Sequence, residues 1–441
     1  MPSGGHFQRF DECVAALAED AFTFLERLVA APSTVGHEQL AQEIVAGELA
    51  SLGFEVSSPP VPEQISRHPL GGVGQTAYAG RHNVLGRLNG PGPGLLFNGH
   101  IDVVPAGTAG WRTDPFVPVR SQGWLAGRGA GDMKGGFAMA FLALRALATA
   151  MPEVLERPVS FLSVIEEECT GNGTLAGVLD RVKGRAVILP EPSDLGLLLS
   201  GVGVLWVDVE VRGSGGHAHV ADRLETPVHA LVVLIAALDD LGRELSHDYP
   251  DAQLAGVDQP YTVNIGRVEC GDWRSSVAST GRLGVRVGFP RGWTADDALA
   301  LVTGCVEKAM VGLGGDMVVT TEPTGFRAEG YALDAGHQLA RLVSACHEDA
   351  HGAPAPAFGL GSTTDARYYV NQLGVPALCY GPVARDIHGA NEAVLLESIV
   401  DGARTLGRVM ARFDDDVVLT SGETISDYSR TLTGPPVTGD L

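Results

Sequence analysis

The sequence is poor in the features that mark secreted and membrane-spanning proteins. Its six cysteines are scattered without a Cys-x-x-Cys pair, which predicts reduced thiols rather than a disulfide framework. The N-terminal residues lack the basic and then apolar run of a signal peptide. No stretch approaches the roughly 20 apolar residues that span a bilayer. We therefore expect a soluble, cytoplasmic protein that has no membrane partner.

Basic residues are also scarce. The chain has 31 Lys plus Arg against 53 Asp plus Glu, a formal net charge of -22. Nucleic acids and anionic membranes bind cationic surfaces, so the charge balance argues against both as partners. The 45% of hydrophobic and 19% of charged residues are typical of a globular chain. Because 441 residues exceed the roughly 250–300 that one core usually supports, we expect two domains.

Short apolar strands alternate with helical segments in the first 200 residues. Helical periodicity marks 9–30, 37–52 and 134–149, and strand-like runs occupy 84–89, 95–99, 159–165 and 186–190. The alternation of apolar strands and helical segments resumes after about residue 328, with a predicted strand at 375–380 and a predicted helix at 392–412. This pattern predicts an α/β catalytic domain whose mostly parallel sheet is flanked by helices.

The middle of the chain has a different order of elements. Predicted strands near 203–213, 261–269, 281–289 and 316–321 alternate with helices near 227–243 and 294–310. The order β-α-β-β-α-β predicts an inserted ferredoxin-like α+β domain. The predicted division is therefore 1–200 and 328–412 for the catalytic domain, 201–327 for the inserted domain and 413–441 for a polar tail.

Histidine and acidic residues stand at the ends of the predicted strands or just after them. They are His100, Asp102, Asp132, the triplet Glu166-Glu167-Glu168, Glu191 and His388. Ligand sites in open α/β sheets form outside the carboxyl ends of the strands, so we expect these distant residues to converge. Two histidines and several carboxylates suit Zn²⁺ or a similar divalent ion.

Seven sequence runs carry a resemblance to a known family. They are LLFNGHIDVVPAG, GWLAGRGAGDMKGG, IEEECTGNGTLAG, LPEPSD, GSGGHAH, GSTTDARYY and DIHGANEAV. In order and spacing the chain resembles, from about residue 10 to about 412, the metallo-amidohydrolase family of acetylornithine deacetylase, succinyl-diaminopimelate desuccinylase, aminoacylase and the glutamate carboxypeptidases. The resemblance implies a dinuclear metallohydrolase that cleaves carbon–nitrogen amide bonds.

The resemblance also implies metal-binding roles. His100 and Glu191 would hold one zinc ion, Glu168 and His388 the other, and Asp132 would bridge the two. Two Zn²⁺ per subunit are expected, and Co²⁺ can substitute. Asp102 would orient the imidazole of His100 through its carboxylate.

The glutamate triplet and His217 supply the expected catalytic groups. Aligning the family's Gly-containing turn on Gly173 makes Glu167 the general base; an assignment shifted by one residue is the alternative. His217 would stabilise the oxyanion. In the relatives this histidine comes from the partner subunit, so we expect a homodimer formed through the inserted domain, which would also act as a lid. An exposed loop histidine without function is the other interpretation.

Four residues fall near positions where the family binds its substrate: Asn264, Arg286, Thr363 and Arg367. An arginine suits a substrate carboxylate. We therefore expect a small-molecule substrate, an N-acyl amino acid, and first the acetylated basic or small amino acids. A dipeptidase or carboxypeptidase of the same family is the alternative. The sequence departs from the family at 275–278, where Ser-Ser-Val-Ala replaces Asn-Val-Val-Pro, and at Thr226, which replaces an asparagine.

Three alternative interpretations of the sequence assign the protein to other functional classes. His347-Glu348-Asp349-Ala350-His351 matches the zincin pattern, although Gly352 ends the helix at its second histidine. The glycine-containing run 171–176, with Glu191 about 20 residues on, resembles a dinucleotide fingerprint and would indicate a nicotinamide-dependent oxidoreductase. Three carboxylates just before that run would repel a pyrophosphate. The third alternative is a binding protein that has kept the fold without catalysis.

Overall fold

The computed structural model describes residues 7–90, 94–107, 109–314 and 316–413. Within them the α-helices are α1 (Gln8–Ala16), α2 (Ala18–Val29), α3 (Gln39–Ser51), α4 (Gly135–Ala150), α5 (Asn172–Leu179), α6 (Pro227–Asp248), α7 (Ala295–Met310), α8 (Gln338–His351) and α9 (Leu396–Arg412). The strands are β1 (Glu55–Ser57), β2 (Val84–Leu88), β3 (Leu95–His100), β4 (Val119–Ser121), β5 (Trp124–Ala126), β6 (Val159–Val164), β7 (Ala186–Leu189), β8 (Leu197–Gly201), β9 (Gly203–Arg212), β10 (Gly216–His217), β11 (Val263–Cys270), β12 (Ser276–Val277), β13 (Thr280–Phe289), β14 (Val318–Ala328), β15 (Tyr331–Ala332), β16 (Ala357–Leu360), β17 (Ala377–Cys379), β18 (Ala384–Arg385) and β19 (Ala393–Leu395).

A nine-stranded sheet forms the centre of the larger unit. Its order is β1-β2-β6-β3-β7-β17-β8-β15, and β16 pairs with β8. The central strands β6, β3, β7 and β17 run parallel, whereas β1, β2 and the strands beyond β17 add antiparallel pairings. Nearly continuous burial of β3, β6 and β7 agrees with a parallel sheet covered on both faces. The predicted α/β class with parallel central strands is confirmed.

Helix α4 is the central helix of this unit. Twelve of its sixteen residues are buried, and it packs against α1, α2 and α9. Among the described residues, the helical segment Ala130–Ala150 is long and apolar enough to cross a membrane, yet 78% of its most apolar window is buried inside the protein. Its apolar character is explained by core packing.

The inserted unit has the predicted ferredoxin-like order. Its four-stranded sheet, β11-β13-β9-β14, is antiparallel throughout, and α6 and α7 pack on one face. We call it the lid sheet. A second hydrophobic core, built from residues between Val202 and Ala328, is separate from the core of the larger unit. The domain limits at residues 200, 327 and 412 stay a prediction.

Several local expectations differ from the structure. The helix predicted at 9–30 is broken at Leu17 into α1 and α2, and the helix predicted from residue 392 begins at Leu396. There Ala393–Leu395 forms β19, which pairs with β5 in a small four-stranded sheet that the sequence did not predict. Strands this short carry too little periodicity to be recognised. The predicted polar tail lies outside the described residues except for its first residue, Phe413.

Candidate metal centre and its cavity

Three adjacent parallel strands deliver candidate ligands to one edge of the central sheet. His100 is the last residue of β3, the glutamate triplet begins two residues after β6, and Glu191 comes two residues after β7. Because β6, β3 and β7 are neighbours in the sheet and run parallel, their carboxyl ends meet at the same edge. The predicted convergence of these residues is therefore present in the fold.

Asp132 and His388 reach the same place from loops. Asp132 lies in the turn before α4, and one of its oxygens, Oδ1, is 3.0 Å from His100 Nε2. Its other oxygen, Oδ2, is 3.4 Å from His388 Nε2. Glu191 lies 3.6 Å from His100 Nε2, and Glu168 lies 2.9 Å from His388 Nε2. The side chains form two sets of histidine and carboxylate that share Asp132.

Charge dominates this cluster. The Glu168 carboxylate raises the pKa of His388 to about 11 against the effect of burial. Burial by itself would lower the pKa of His100, but the nearby Glu191 and Asp132 carboxylates raise it well above its ordinary value. Burial also raises the pKa of Glu191 to about 7. The carboxylates thus stabilise positive charge on both imidazoles, and a cluster with this property is suited to binding cations.

Asp102 holds His100 by a different group than predicted. The ring atom Nδ1 lies 2.9 Å from the backbone carbonyl oxygen of Asp102 and 3.8 Å from its carboxylate. The two carboxylate oxygens instead accept the backbone N–H groups of Glu167 and Glu168, both at 3.1 Å. Burial raises the pKa of Asp102 to about 8. Its side chain therefore fixes the glutamate loop, and its main chain orients the imidazole.

The glutamate triplet divides into one structural residue and two that face the cavity. Glu166 is fully buried and accepts hydrogen bonds from Tyr78, Arg81 and Thr170. It adopts a left-handed conformation, φ +62°, which is uncommon outside glycine. Glu167 and Glu168 both line the cavity, and burial raises the pKa of Glu167 well above its ordinary value.

A buried ion pair that the sequence did not indicate supports the Asp132 turn. Glu392 accepts the backbone N–H groups of Gly131 at 2.9 Å and Asp132 at 3.0 Å through one oxygen. The other oxygen accepts the Gly129 N–H at 3.0 Å and Arg128 Nη1 at 2.6 Å. The only sequence signal was a carboxylate inside the run DIHGANEAV, directly before a short apolar strand.

A cavity of about 530 Å³ lies between the metal-site residues and the lid sheet. Its wall includes three of the four predicted substrate residues, Asn264, Arg286 and Thr363. The buried hydroxyl oxygen of Thr363 has no hydrogen-bond partner within the described part of the chain. A volume of this size suits a small-molecule ligand.

Arg286 is a cationic group of the cavity wall. Its Nη2 donates to the carbonyl oxygen of Gly361 at 3.1 Å and to Ser362 Oγ at 3.3 Å, and Nη1 donates to Thr262 Oγ1 at 3.4 Å. Desolvation lowers its pKa, and no carboxylate of the described residues forms an ion pair with it. A guanidinium held only by neutral oxygens beside a cavity is suited to an anionic ligand group.

Arg367 does not reach the cavity, contrary to the sequence-based expectation. It is 3% exposed, and its Nη1 lies 3.2 Å from Asp365 and donates to the Thr364 carbonyl at 3.0 Å. The guanidinium also stacks on Tyr368, 4.4 Å from the ring centroid. Arg367 forms its ion pair inside the larger unit, because Asp365, two residues earlier in the same loop, is also buried there.

His217 lies in β10 of the inserted unit, exposed and outside the cavity of its own chain. Its Nδ1 is 2.9 Å from Nδ1 of His219. The expected role in a partner subunit therefore stays a prediction.

The two rival motifs have structural uses. His347 and His351 lie on α8 with ring centroids 4.4 Å apart, and they bond to Tyr380 and Thr405 respectively. In the glycine-containing run, Gly171 (φ +74°) precedes α5, beside the buried carboxylate of Asp365. A side chain in place of Gly171 would clash with the guanidinium of Arg367, which pairs with Asp365, so the glycine serves this packing.

Comparisons with known proteins agree with the resemblance. Residues 96–412 match the family model described as Peptidase family M20/M25/M40. The chain is 28% identical to the succinyl-diaminopimelate desuccinylase of Methylobacterium radiotolerans, covering 88% of this chain and 96% of that relative. The structure superimposes on human carnosine dipeptidase 1 with a TM-score of 0.74 at 17% identity, covering 92% and 99% of the two chains. A Bacillus subtilis protein described as a dinuclear metal binding peptidase of the M20 family gives a TM-score of 0.58 at 14% identity over 90% and 98%. At these identities, the likeness to the solved structures shows a shared fold.

Proposed function

Since the chain belongs to Peptidase family M20/M25/M40 and is therefore a hydrolase of carbon–nitrogen amide bonds, we propose that it removes the acyl group from N-acyl amino acids, and above all the acetyl group, with two zinc ions as cofactors. The observation that carries this proposal is the shared carboxylate of Asp132 between two histidines, beside a cavity whose wall holds Arg286.

The donor set fits two borderline divalent ions. His100 and Glu191 would hold one metal, His388 and Glu168 the other, and Asp132 would contact both. Potential ligand atoms of His100, Asp132 and Glu168 lie within 4.8 Å of one another. Imidazole nitrogens combined with carboxylate oxygens favour zinc, and also accept cobalt.

When bound, the metals would polarise the amide carbonyl and lower the pKa of the attacking water. Glu167 faces the same cavity as the metal-site carboxylates. It would accept the proton of that water and return it to the amine that leaves. Glu166 is unsuited to this role because Tyr78, Arg81 and Thr170 occupy its oxygens.

Arg286 would bind the substrate carboxylate. Its neutral partners leave the guanidinium charge uncompensated, and a carboxylate would supply a charge-assisted hydrogen bond. Thr363, whose hydroxyl is unpartnered, and Asn264 would add polar contacts.

We also propose a cytoplasmic homodimer formed through the inserted unit. The face of α6 exposes Val228 and Val232, 48% and 65% accessible, and β11 is an exposed edge strand of the lid sheet. Apolar side chains and open strand edges favour association. In such a dimer, the partner's His217 would stabilise the oxyanion.

Metal-loaded enzyme offered a panel of N-acetyl and N-succinyl amino acids and dipeptides tests the reaction. We expect release of acetate with a free amino acid, and about two metals per chain by elemental analysis. Faster cleavage of dipeptides than of any N-acyl amino acid would assign the dipeptidase alternative. Failure to retain any divalent metal would refute the dinuclear centre.

Mixing two inactive variants tests the dimer. Glu167→Gln and His217→Ala would each destroy activity, and subunit exchange would create one hybrid site with both groups intact. Activity should then return in part. If exchange is demonstrated and no activity returns, His217 does not act across subunits.

A further inference from the structure

One row of side chains crosses the lid sheet. The strand register pairs Asn264 with Arg286, Arg286 with Trp206, and Trp206 with Thr324. All four residues line the cavity that also contains Glu167 and the metal-site carboxylates. The lid sheet therefore presents an amide, a guanidinium, an indole and a hydroxyl side by side to any bound substrate.

Trp206 stands on the polar face of its strand. Leu205 and Val207 are completely buried in the lid core, whereas Asp208, on the same face as Trp206, is exposed. Because successive side chains of a strand point to opposite faces, the indole points away from that core and toward the cavity. The indole packs against the edge of that core through Phe326 and also lines the cavity.

The indole and Phe326 form an aromatic corner of the cavity. Their ring centroids lie 5.2 Å apart with an interplanar angle of 83°, an edge-to-face contact. Gly325 allows this arrangement: its φ is +56°, and a Cβ at this position would come within 2.4 Å of the indole. The backbone is thus shaped to keep the indole at the cavity wall.

We propose that the aromatic corner, Trp206 and Phe326, binds the side chain of the substrate's amino acid, so that N-acyl derivatives of aromatic and large aliphatic amino acids are preferred. Directly opposed residues of neighbouring strands have Cβ atoms about 4.5–5.5 Å apart. A carboxylate bound by Arg286 therefore places a second substituent of the same carbon within reach of Trp206. This inference rests on the proposed function and replaces the expectation of basic or small amino acids.

The charges next to this row do not favour a basic side chain. Asp208, two residues along the same strand, also lines the cavity, but it is exposed, so water and salt screen its charge. The strand register places Gly284 between Asp208 and Arg267. The charges of Asp208 and Arg267 attract each other across that glycine. A cationic substrate group would also meet Arg286 beside the indole.

Competing substrates test the proposal on the metal-loaded enzyme. We expect kcat/KM for N-acetyl-L-phenylalanine and N-acetyl-L-leucine to exceed that for N-acetyl-L-alanine and N-acetyl-L-lysine by roughly tenfold or more, the scale of a filled apolar pocket. Trp206→Ala should lower the phenylalanine-to-alanine ratio by a similar factor. The matched control Trp293→Ala removes an indole that contacts Tyr249 in the same unit, outside the cavity, and should keep the ratio.

The outcomes separate this inference from the proposed function. Equal turnover of the phenylalanine, alanine and lysine derivatives would overturn the inference and leave the deacylase intact. Hydrolysis of none of them would overturn the proposed function, and the inference with it. If Trp206→Ala does not fold, Trp206→Leu and the wild-type panel decide the question.

Discussion

Replacing Glu392 by glutamine should damage both stability and metal binding. The carboxylate, 1% exposed as a side chain, accepts four N–H groups: those of Gly129, Gly131 and Asp132, and the guanidinium of Arg128. Burial raises the pKa of Glu392, but these donors stabilise its charged form. Glutamine offers one acceptor oxygen, so its NH₂ group must face two of the donors.

The expected cost follows from the burial of the pair. Removing one partner of a buried ion pair costs about 3–5 kcal/mol. We expect Glu392→Gln to lower the free energy of unfolding by about that amount. The turn that Glu392 holds carries Asp132, and Arg128 also donates to the His388 carbonyl at 3.3 Å. Supporting residues of this kind affect metal affinity by roughly 10–100-fold, so we expect a loss of that size.

Denaturant unfolding of the metal-saturated protein and competition with a chelator measure the two effects. Glu397→Gln is the matched control, because Glu397 is exposed in the first turn of α9 and should change stability by less than about 0.5 kcal/mol. If Glu392→Gln behaved like this control in both assays, the buried pair would have no role in holding the Asp132 turn.

Three further predictions concern catalysis and acid stability. Glu167→Gln should abolish turnover while both metals are retained, whereas Glu168→Gln should weaken one metal site; the reverse pattern in metal analysis would show that the assignment is shifted by one residue. Arg286→Ala, or methyl esterification of the substrate carboxylate, should reduce kcat/KM by about tenfold or more, the scale of one charged hydrogen bond, and equal turnover of acid and ester would contradict carboxylate recognition. Burial, with the neighbouring His351, lowers the pKa of His347 from 6.5 to about 4, so the unfolded chain takes up this proton first as the pH falls. The stabilisation is complete above about pH 6.5 and is lost toward pH 4, and the Tm of His347→Gln should fall less steeply across this window than that of the wild type.

The sequence by itself determined the order of the longer helices and strands and the strand ends at which the metal-site candidates lie. Hydrophobic periodicity is a local property, and parallel strands place their carboxyl ends at one edge, so the approach of His100, Glu168 and Glu191 could be predicted. The roles within the glutamate triplet could be anticipated from the resemblance, and the contacts of Glu166 agree with them. The alternating pattern of β9 also places Trp206 on the polar face of the strand, but the sequence around Trp206 does not indicate which residues that face contacts.

Only the tertiary structure decided which partner each side chain takes. Arg367 turns toward Asp365 and Arg286 toward the cavity, although both are arginines near motif positions. Asp102 uses its carbonyl for His100 because two backbone N–H groups occupy its carboxylate. The row of residues on the lid sheet depends on strand register, and register joins segments far apart in the chain. Periodicity fixes the face on which a side chain lies, whereas its neighbour across the sheet is fixed only when the strands have paired.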